Sequence, residues 1–410
     1  MTHTIESIHA WEVFDARGWP GVAAEVRLSR GATGRATAPG SIEDIHYGAL
    51  QLRDDDYTRH RGRGVRKAVA QVIEVLAPRL AGRAFADQQA LDGLLADAAG
   101  SAAGANATLA VSLAAARAAS DASAAPLWRY LGGGVGSPPQ PIIDLMTGGQ
   151  RYTPGLDFRG YLLVANPASS FAQAVEQGSA VSYGLRDWIL RSKLPLTRPE
   201  FGAFAPGVKS NREALDLLLK AIERAGLAPG KDVSLGLDVG GRLLFDVDDE
   251  RYFLGSASLA LDTDGFLAFL EALVADYPIS LLIDPLSPTD AGNSDDLQPR
   301  FGRVSVAGYE FFASSRARLD LGVAGRAAGG IAVDLSQTAT VTQALMVLGA
   351  AHDAGWTTIA HMAPGETEDT ALADVACAAG ATAVRFGPLT GAEHLAKYTR
   401  MLRIEEEREG

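Results

Sequence analysis

The sequence predicts an α/β protein in which a small α+β domain precedes a (β/α)8 barrel. Short apolar runs alternate with amphipathic helical stretches beyond residue 140, and many of these runs end on a polar or ionisable residue. The stretch LGGGVGSPPQP, rich in glycine and proline, separates this region from an opening third with a different pattern. The expected division is an N-terminal domain over 1–135 and a barrel over 140–410.

The opening third starts with two strand-like runs, IHAWEVF and GVAAEVRLS, flanking the turn-rich DARGWPG. Helical patterns follow in GVRKAVAQVIEVLAPRL and in the alanine- and leucine-rich NATLAVSLAAARAAS. The later apolar runs are PIIDLM, GYLLVAN, VSLGLDV, ISLLIDP, RVSVAGYE, GIAVDL, TTIAHM and ATAVRFGP. Helical stretches such as SNREALDLLLKAIERAGL and VTQALMVLGAAHDAG lie between most of them. Strands apolar on both faces and alternating with helices signal a parallel sheet. Eight such units fit a closed barrel, with an open doubly wound sheet as the competing arrangement. No glycine-rich G-x-G-x-x-G turn follows an early strand, which weighs against the open sheet.

Composition narrows the partners. The 410 residues are 47% hydrophobic and 21% charged, ordinary for a soluble globular protein. A net charge of -12 disfavours nucleic acid and anionic membrane, since either needs a basic face. No apolar run approaches the roughly 18 residues of a spanning helix, and the start has no signal-peptide pattern. Cys377 is the single cysteine, so internal disulfides and cysteine-rich metal sites are excluded. A cytoplasmic setting is expected.

Asp238, Asp284, Tyr309 with Glu310, Asp334, His361 and Arg385 stand at the ends of apolar runs. In a barrel those ends converge on one mouth, where active sites are built. Taken singly, each is equally well explained as a cap for the following loop or helix. As a set they predict a polar pocket, because carboxylates gathered at one mouth repel one another unless cations or a ligand compensate them.

Longer segments resemble the enolase family. FDARGWPGVAAEV is similar to that family's opening strand pair, and GANATLAVSLAAARAASDASAAPLWRYLGG to its N-terminal domain. FAPGVKSNREALDLLLKAIERAGLAPGKDVSLGLDV, IDPL, GETEDTALADVA and HLAKYTRMLRIEEE are similar to its barrel. The resemblance implies a modified (β/α)8 barrel behind a small α+β domain, a homodimer, and magnesium-assisted proton abstraction from 2-phosphoglycerate by a lysine base.

The chemical positions depart from the family. Asp334, in VDLSQ, stands where the resemblance places the lysine base, and Arg385, in RFG, where it places a second lysine. PEFGAFAP puts Phe201 at the general-acid glutamate, with Glu200 one residue earlier; another glutamate falls on Gly160, preceded by Arg159; a histidine becomes Arg151. Of three implied magnesium carboxylates Asp238 remains, whereas the others fall on Ile283 and Tyr309. Asp284 and Glu310 match the second member of each carboxylate pair, and a register shift would make them ligands. In the mobile-loop segment PGSIEDI, Gly40 takes the place of a metal-binding serine, with Ser41 next to it. The phosphate-binding run reads HMAPGET, keeping His361 but with Met362 and Ala363 in place of an arginine and a serine.

Two readings follow. In the first, the mouth is a repurposed acid–base site that needs no cofactor. His361 and Asp334 are its acid–base candidates, and Arg385 clamps the carboxylate of a small metabolite, with Asp238 and Tyr309 completing the catalytic set. Arg151, Arg159, Glu200, Asp284, Glu310 and Gln337 are then substrate-binding candidates. Elimination, isomerisation, decarboxylation or cyclisation all suit these groups, with specialised biosynthesis as the setting. In the second reading, the chain is an inactive binding or scaffold protein whose pocket is plugged by an Asp334–Arg385 ion pair.

Overall fold

The computed structural model describes residues 2–40, 48–100, 104–134, 138–149, 155–166, 170–199 and 202–409. The chain opens with strands β1 (His3–Phe14), β2 (Pro20–Leu28) and β3 (Thr33–Ala38), an antiparallel meander joined at one edge by the short β4 (Ala84–Phe85). Helices α1 (Arg66–Ala70) and α2 (Ala77–Leu80) are joined into one rod by a wider π-type turn over Gln71–Leu76. α3 (Gln88–Ala99), capped by the Asp87 carboxylate, leads to α4 (Ala105–Ala122) and the short α5 (Leu127–Tyr130).

The position of α4 follows from its composition. Its many alanines carry little bulk and favour helix, so it buries nearly every side and lies close on the sheet. The approach is tightest at Gly34, where an added Cβ would lie 2.0 Å from the Ala114 carbonyl oxygen and 2.3 Å from the Ala118 nitrogen. On the barrel side, the Ser112 hydroxyl accepts from the Val341 N–H at 3.0 Å and Arg117 grips Asp369 bidentately at 2.6 and 2.7 Å. The two domains are thereby bound together.

The barrel strands are β5 (Gln140–Thr147), β6 (Gly160–Ala165) and β7 (Val233–Asp238), then β11 (Ile279–Ile283), β12 (Ser305–Gly308), β13 (Gly330–Val333), β14 (Thr357–His361) and β15 (Ala383–Gly387). A small sheet of β8 (Phe245–Asp246), β9 (Arg251–Leu254) and β10 (Leu259–Leu261) interrupts the series. The outer helices are α6 (Phe171–Arg191), α7 (Asn211–Arg224), α8 (Thr263–Asp276), α9 (Leu297–Phe301), α10 (Arg316–Ala324), α11 (Val341–Asp353), α12 (Ala371–Ala378) and α13 (Ala392–Glu409). Side chains of Ser170, Ser210, Asp262, Ser315 and Thr340 cap five of them, satisfying N–H groups that the first turn leaves unpaired.

All eight expected strands are present and the barrel is closed, but its sheet is not wholly parallel. β6 runs antiparallel to both β5 and β7. The cause is the connection: no helix is found in the described residues between Thr147 and Gly160, so the chain turns straight back instead of crossing over. The lumen is filled by Ile142, Leu162, Leu281, Ile283, Ala307, Tyr309 and their neighbours. Among the described residues no helix is long and apolar enough to cross a membrane.

Gly34→Ala is expected to push α4 from the sheet and cost about 1–3 kcal/mol or more in urea unfolding. An unchanged unfolding midpoint would show that the helix does not sit this close.

Candidate active site at the barrel mouth

The reversal of β6 sets the site. Because β6 begins at the end where β7 finishes, Gly160 pairs with Asp238, and the preceding Arg159 enters the mouth. Its Nε donates to Asp238 Oδ2 at 2.8 Å, and its Nη2 donates to Asp284 Oδ2 at 3.2 Å. Nη1 donates to Glu310 Oε1. Arg242, in the turn after β7, donates to the other oxygen of Glu310. Asp284 also accepts the N–H groups of Tyr309 at 2.7 Å, Glu310 at 3.0 Å and Phe311 at 3.3 Å.

Arg385 stands on the opposite side of Asp238. Nε and Nη2 grip Asp144 at 3.1 and 2.6 Å, and Nη1 donates to Asp238 Oδ2 at 2.6 Å. Gly160 leaves room for it, since a Cβ there would stand 3.2 Å from Arg385 Nη2. Nη1 also meets His361 Nε2 at 2.9 Å. His361 Nδ1 lies 2.6 Å from the Met362 carbonyl oxygen, which can only accept, so the proton is on Nδ1 and Nε2 receives the guanidinium. The imidazole is neutral: burial, reinforced by Arg385, pulls it well below its ordinary value. It also stacks on Tyr309, with ring centroids 4.2 Å apart.

Asp334 has different surroundings. Its Oδ1 accepts from the Ser336 N–H at 2.7 Å and its Oδ2 from the Tyr309 hydroxyl at 2.9 Å. Asp144, Asp238, Asp284 and Glu310 each meet a guanidinium, whereas Asp334 has no cationic partner among the described residues. Burial therefore pushes its carboxyl up to about 7, partly offset by the Ser336 hydrogen bond. Burial would also raise Asp238, but Arg159 and Arg385 outweigh it and hold that carboxylate well below the usual range. Asp284 is raised by burial and by nearby Glu310 and Asp238, against the pull of Arg159. Behind Asp284, a cavity of about 10 Å³ bordered by Leu286, Val306, Phe311 and Phe312 has room for a single water at most.

The two family models that match are those of the enolase N-terminal domain, over residues 5–131, and the enolase C-terminal TIM barrel domain, over residues 137–409. The chain belongs to the enolase family. An enolase family member is expected to hold magnesium at the ends of β7, β11 and β12, and the residues present here do not fit that ion. Ile283 and Tyr309 are packed into the lumen, and the oxygens of Asp238, Asp284 and Glu310 face Arg159. Among the described residues no group of three or more His, Cys, Asp or Glu side chains is placed to hold a metal.

Within this enolase-family barrel, Asp238, Asp284, Tyr309, Glu310, Asp334, His361, Arg159 and Arg385 come together. Gln337 is close to Asp334 through Ser314, whose hydroxyl donates to Gln337 Oε1 at 3.2 Å and accepts from the Asp334 N–H at 3.0 Å. Arg151, Glu200, Phe201 and Ser41 lie outside the described residues. Three expectations are corrected. Arg385 is no free clamp, because it is 4% exposed and bonded to two carboxylates and a histidine. It does not pair with Asp334, whose side chain turns to Tyr309. His361 is no free acid–base group either, because its Nδ1 is held by a backbone carbonyl and its Nε2 by Arg385. Asp144 and Arg242 were not singled out: Asp144 is the one charge inside the apolar run PIIDLM, and Arg242 follows a strand in GGRLLF.

Arg385→Ala strips Asp144 of its cation and should cost about 3–5 kcal/mol in urea unfolding; a loss under about 1 kcal/mol would contradict a structural pair. Asp334 gives a pH signature of the opposite sign to that of a salt-bridged carboxylate. Its folded value of about 7 exceeds the unfolded value near 3.9, so the native state binds more protons between them. Stability should therefore fall as pH rises from about 4 to about 7, by up to about 4 kcal/mol, and then level off. Paired melts of the wild type and Asp334→Asn across that range should differ by this slope, and parallel curves would refute the assignment.

Proposed function

We propose that this enolase-family protein is not a phosphopyruvate hydratase but a metal-independent acid–base enzyme of lyase or isomerase type, acting on a small carboxylate-bearing metabolite. The observation that carries this reading is Asp334, the mouth carboxylate with no guanidinium partner among the described residues, whose carboxyl titrates near neutrality. A group poised there is both available as a base and willing to return the proton. Tyr309 orients it through a 2.9 Å hydrogen bond.

Arg242 replaces Arg385 as the proposed clamp. Among the described residues only its Nε is engaged, on Glu310, and its side chain is 22% exposed. Its Nη nitrogens remain to meet an anion bidentately. Beside Asp334, Gln337 Nε2 is buried with no hydrogen-bond partner among the described residues, and a ligand oxygen would satisfy it. Asp334 would take the proton α to the substrate carboxylate, leaving the electron pair delocalised into that carboxylate. Loss of a β leaving group then gives elimination, and return of the proton at another carbon gives isomerisation.

The second reading, an inactive binding protein, is favoured by one feature: Tyr309, Asp334, His361 and Arg385 are all at most 5% exposed and bonded to one another. Proton exchange in D2O, followed by NMR over a panel of small 2-hydroxy, 2-oxo and enol acids, separates the two. An enzyme should exchange one of them with chelator present, faster as pH rises through about 7, and Asp334→Asn should abolish the exchange. If no acid exchanges while one still raises the wild-type melting temperature and that rise is lost in Arg242→Ala, the binding reading holds. Formation of phosphoenolpyruvate from 2-phosphoglycerate at roughly 0.1 per second or more would overturn both.

A further inference from the structure

Gln337 closes the short turn Leu335–Gln337 that begins at Asp334, and it is 4% exposed. Its backbone N–H donates to the Asp334 carbonyl at 3.1 Å, and its carbonyl accepts from the Ala49 N–H at 3.3 Å. Its Oε1 accepts from the Ser314 hydroxyl at 3.2 Å. The remaining polar group, Nε2, is buried with no hydrogen-bond partner among the described residues. A buried donor left open is costly, so its presence here calls for an acceptor that arrives from outside. Ser314 sets which end of the amide stays open. Its oxygen accepts from the Asp334 N–H at 3.0 Å, and its own proton meets Gln337 Oε1 more closely than the Asp334 carbonyl at 3.4 Å. Ser314 and Ala313 are buried residues other than glycine with left-handed backbone, at φ 51° and 45°, so this support is held against local preference.

We propose that Gln337 is the specificity residue of this mouth, its Nε2 receiving an uncharged hydroxyl or carbonyl oxygen of the substrate. The inference rests on the reading of Asp334 as the group that meets substrate. The amide nitrogen can only donate, so it selects an oxygen and rejects a hydrogen or methyl group in the same place. Charge narrows the choice further. Asp334 has no cationic partner among the described residues, and Glu366 adds negative charge nearby. A phosphate or a second carboxylate set beside them would be repelled, whereas a neutral oxygen would not. The ligand class is therefore a small hydroxy or oxo acid, whose carboxylate is left for Arg242.

Matched acids test this, with binding read from the saturable rise in melting temperature and chelator present. Lactate and pyruvate are compared with propionate, and 2-hydroxybutyrate, 3-hydroxybutyrate and 2-oxobutyrate with butyrate. In the wild type at least one oxygen-bearing acid should bind about tenfold or more tighter than its parent. Gln337→Met, of similar length but without the donor, should bring that ratio to within about twofold and leave the parent's affinity in place. A ratio between matched acids is a readout that lost packing alone does not move. A wild type without the preference overturns the proposal, as does a preference that survives in Gln337→Met. If Gln337→Met does not fold, the isosteric Gln337→Glu takes its place with the same expectation. Failure of both to fold makes Gln337 a structural residue and also overturns the proposal. Proton exchange is a separate measurement: an acid that binds through Gln337 and does not exchange refutes the acid–base reading alone.

Discussion

The mouth depends on Asp238, which receives Arg159 from one side and Arg385 from the other. An ionised carboxylate with 1% exposure is costly unless paired, and this one is doubly paired. Its two arginines extend the network in opposite directions, Arg159 to Asp284 and Glu310, and Arg385 to Asp144 and His361. Charge is balanced by side chains at almost every point where the enolase family is expected to use metal. The guanidinium groups of Arg159 and Arg385 stand among these carboxylates, anchored to the protein's own strands.

These pairings divide the mouth's titratable groups. Asp238 is held in its ionised form by its two arginines, and burial reinforced by Arg385 keeps His361 neutral. Burial pushes Asp334 up to about 7 and Asp284 up to about 6, so both can change protonation near neutrality. Asp334 differs from Asp284 in its partner, a hydroxyl where Asp284 meets a guanidinium.

Much of the fold was legible in the sequence because strands buried on both faces and capped helices leave strong local patterns. The direction of β6 was not, since GYLLVAN is equally apolar read either way; the missing helix between PIIDLM and GYLLVAN was the available sign. Most residues of the site were legible because strand ends must converge in a barrel. Their pairing was not, as the choice of Asp144 over Asp334 by Arg385 depends on which side of each strand faces the lumen across a separation of 241 residues. Asp144 shows the limit of reading run ends alone, because a mid-strand charge inside a barrel also needs a partner.

The reversed strand bears on how the barrel assembles. Parallel neighbours can pair only after a helix has crossed between them, whereas β5 and β6 are joined by residues 148–159 and can zip together as a local hairpin. Closing so short a loop is entropically cheap compared with the remaining pairings. Arg159 belongs to that local hairpin, and Asp238 stands opposite it on β7, which covers the hairpin's other edge. Their ion pair thus ties a locally closed hairpin to a strand that reaches it only through a long connection.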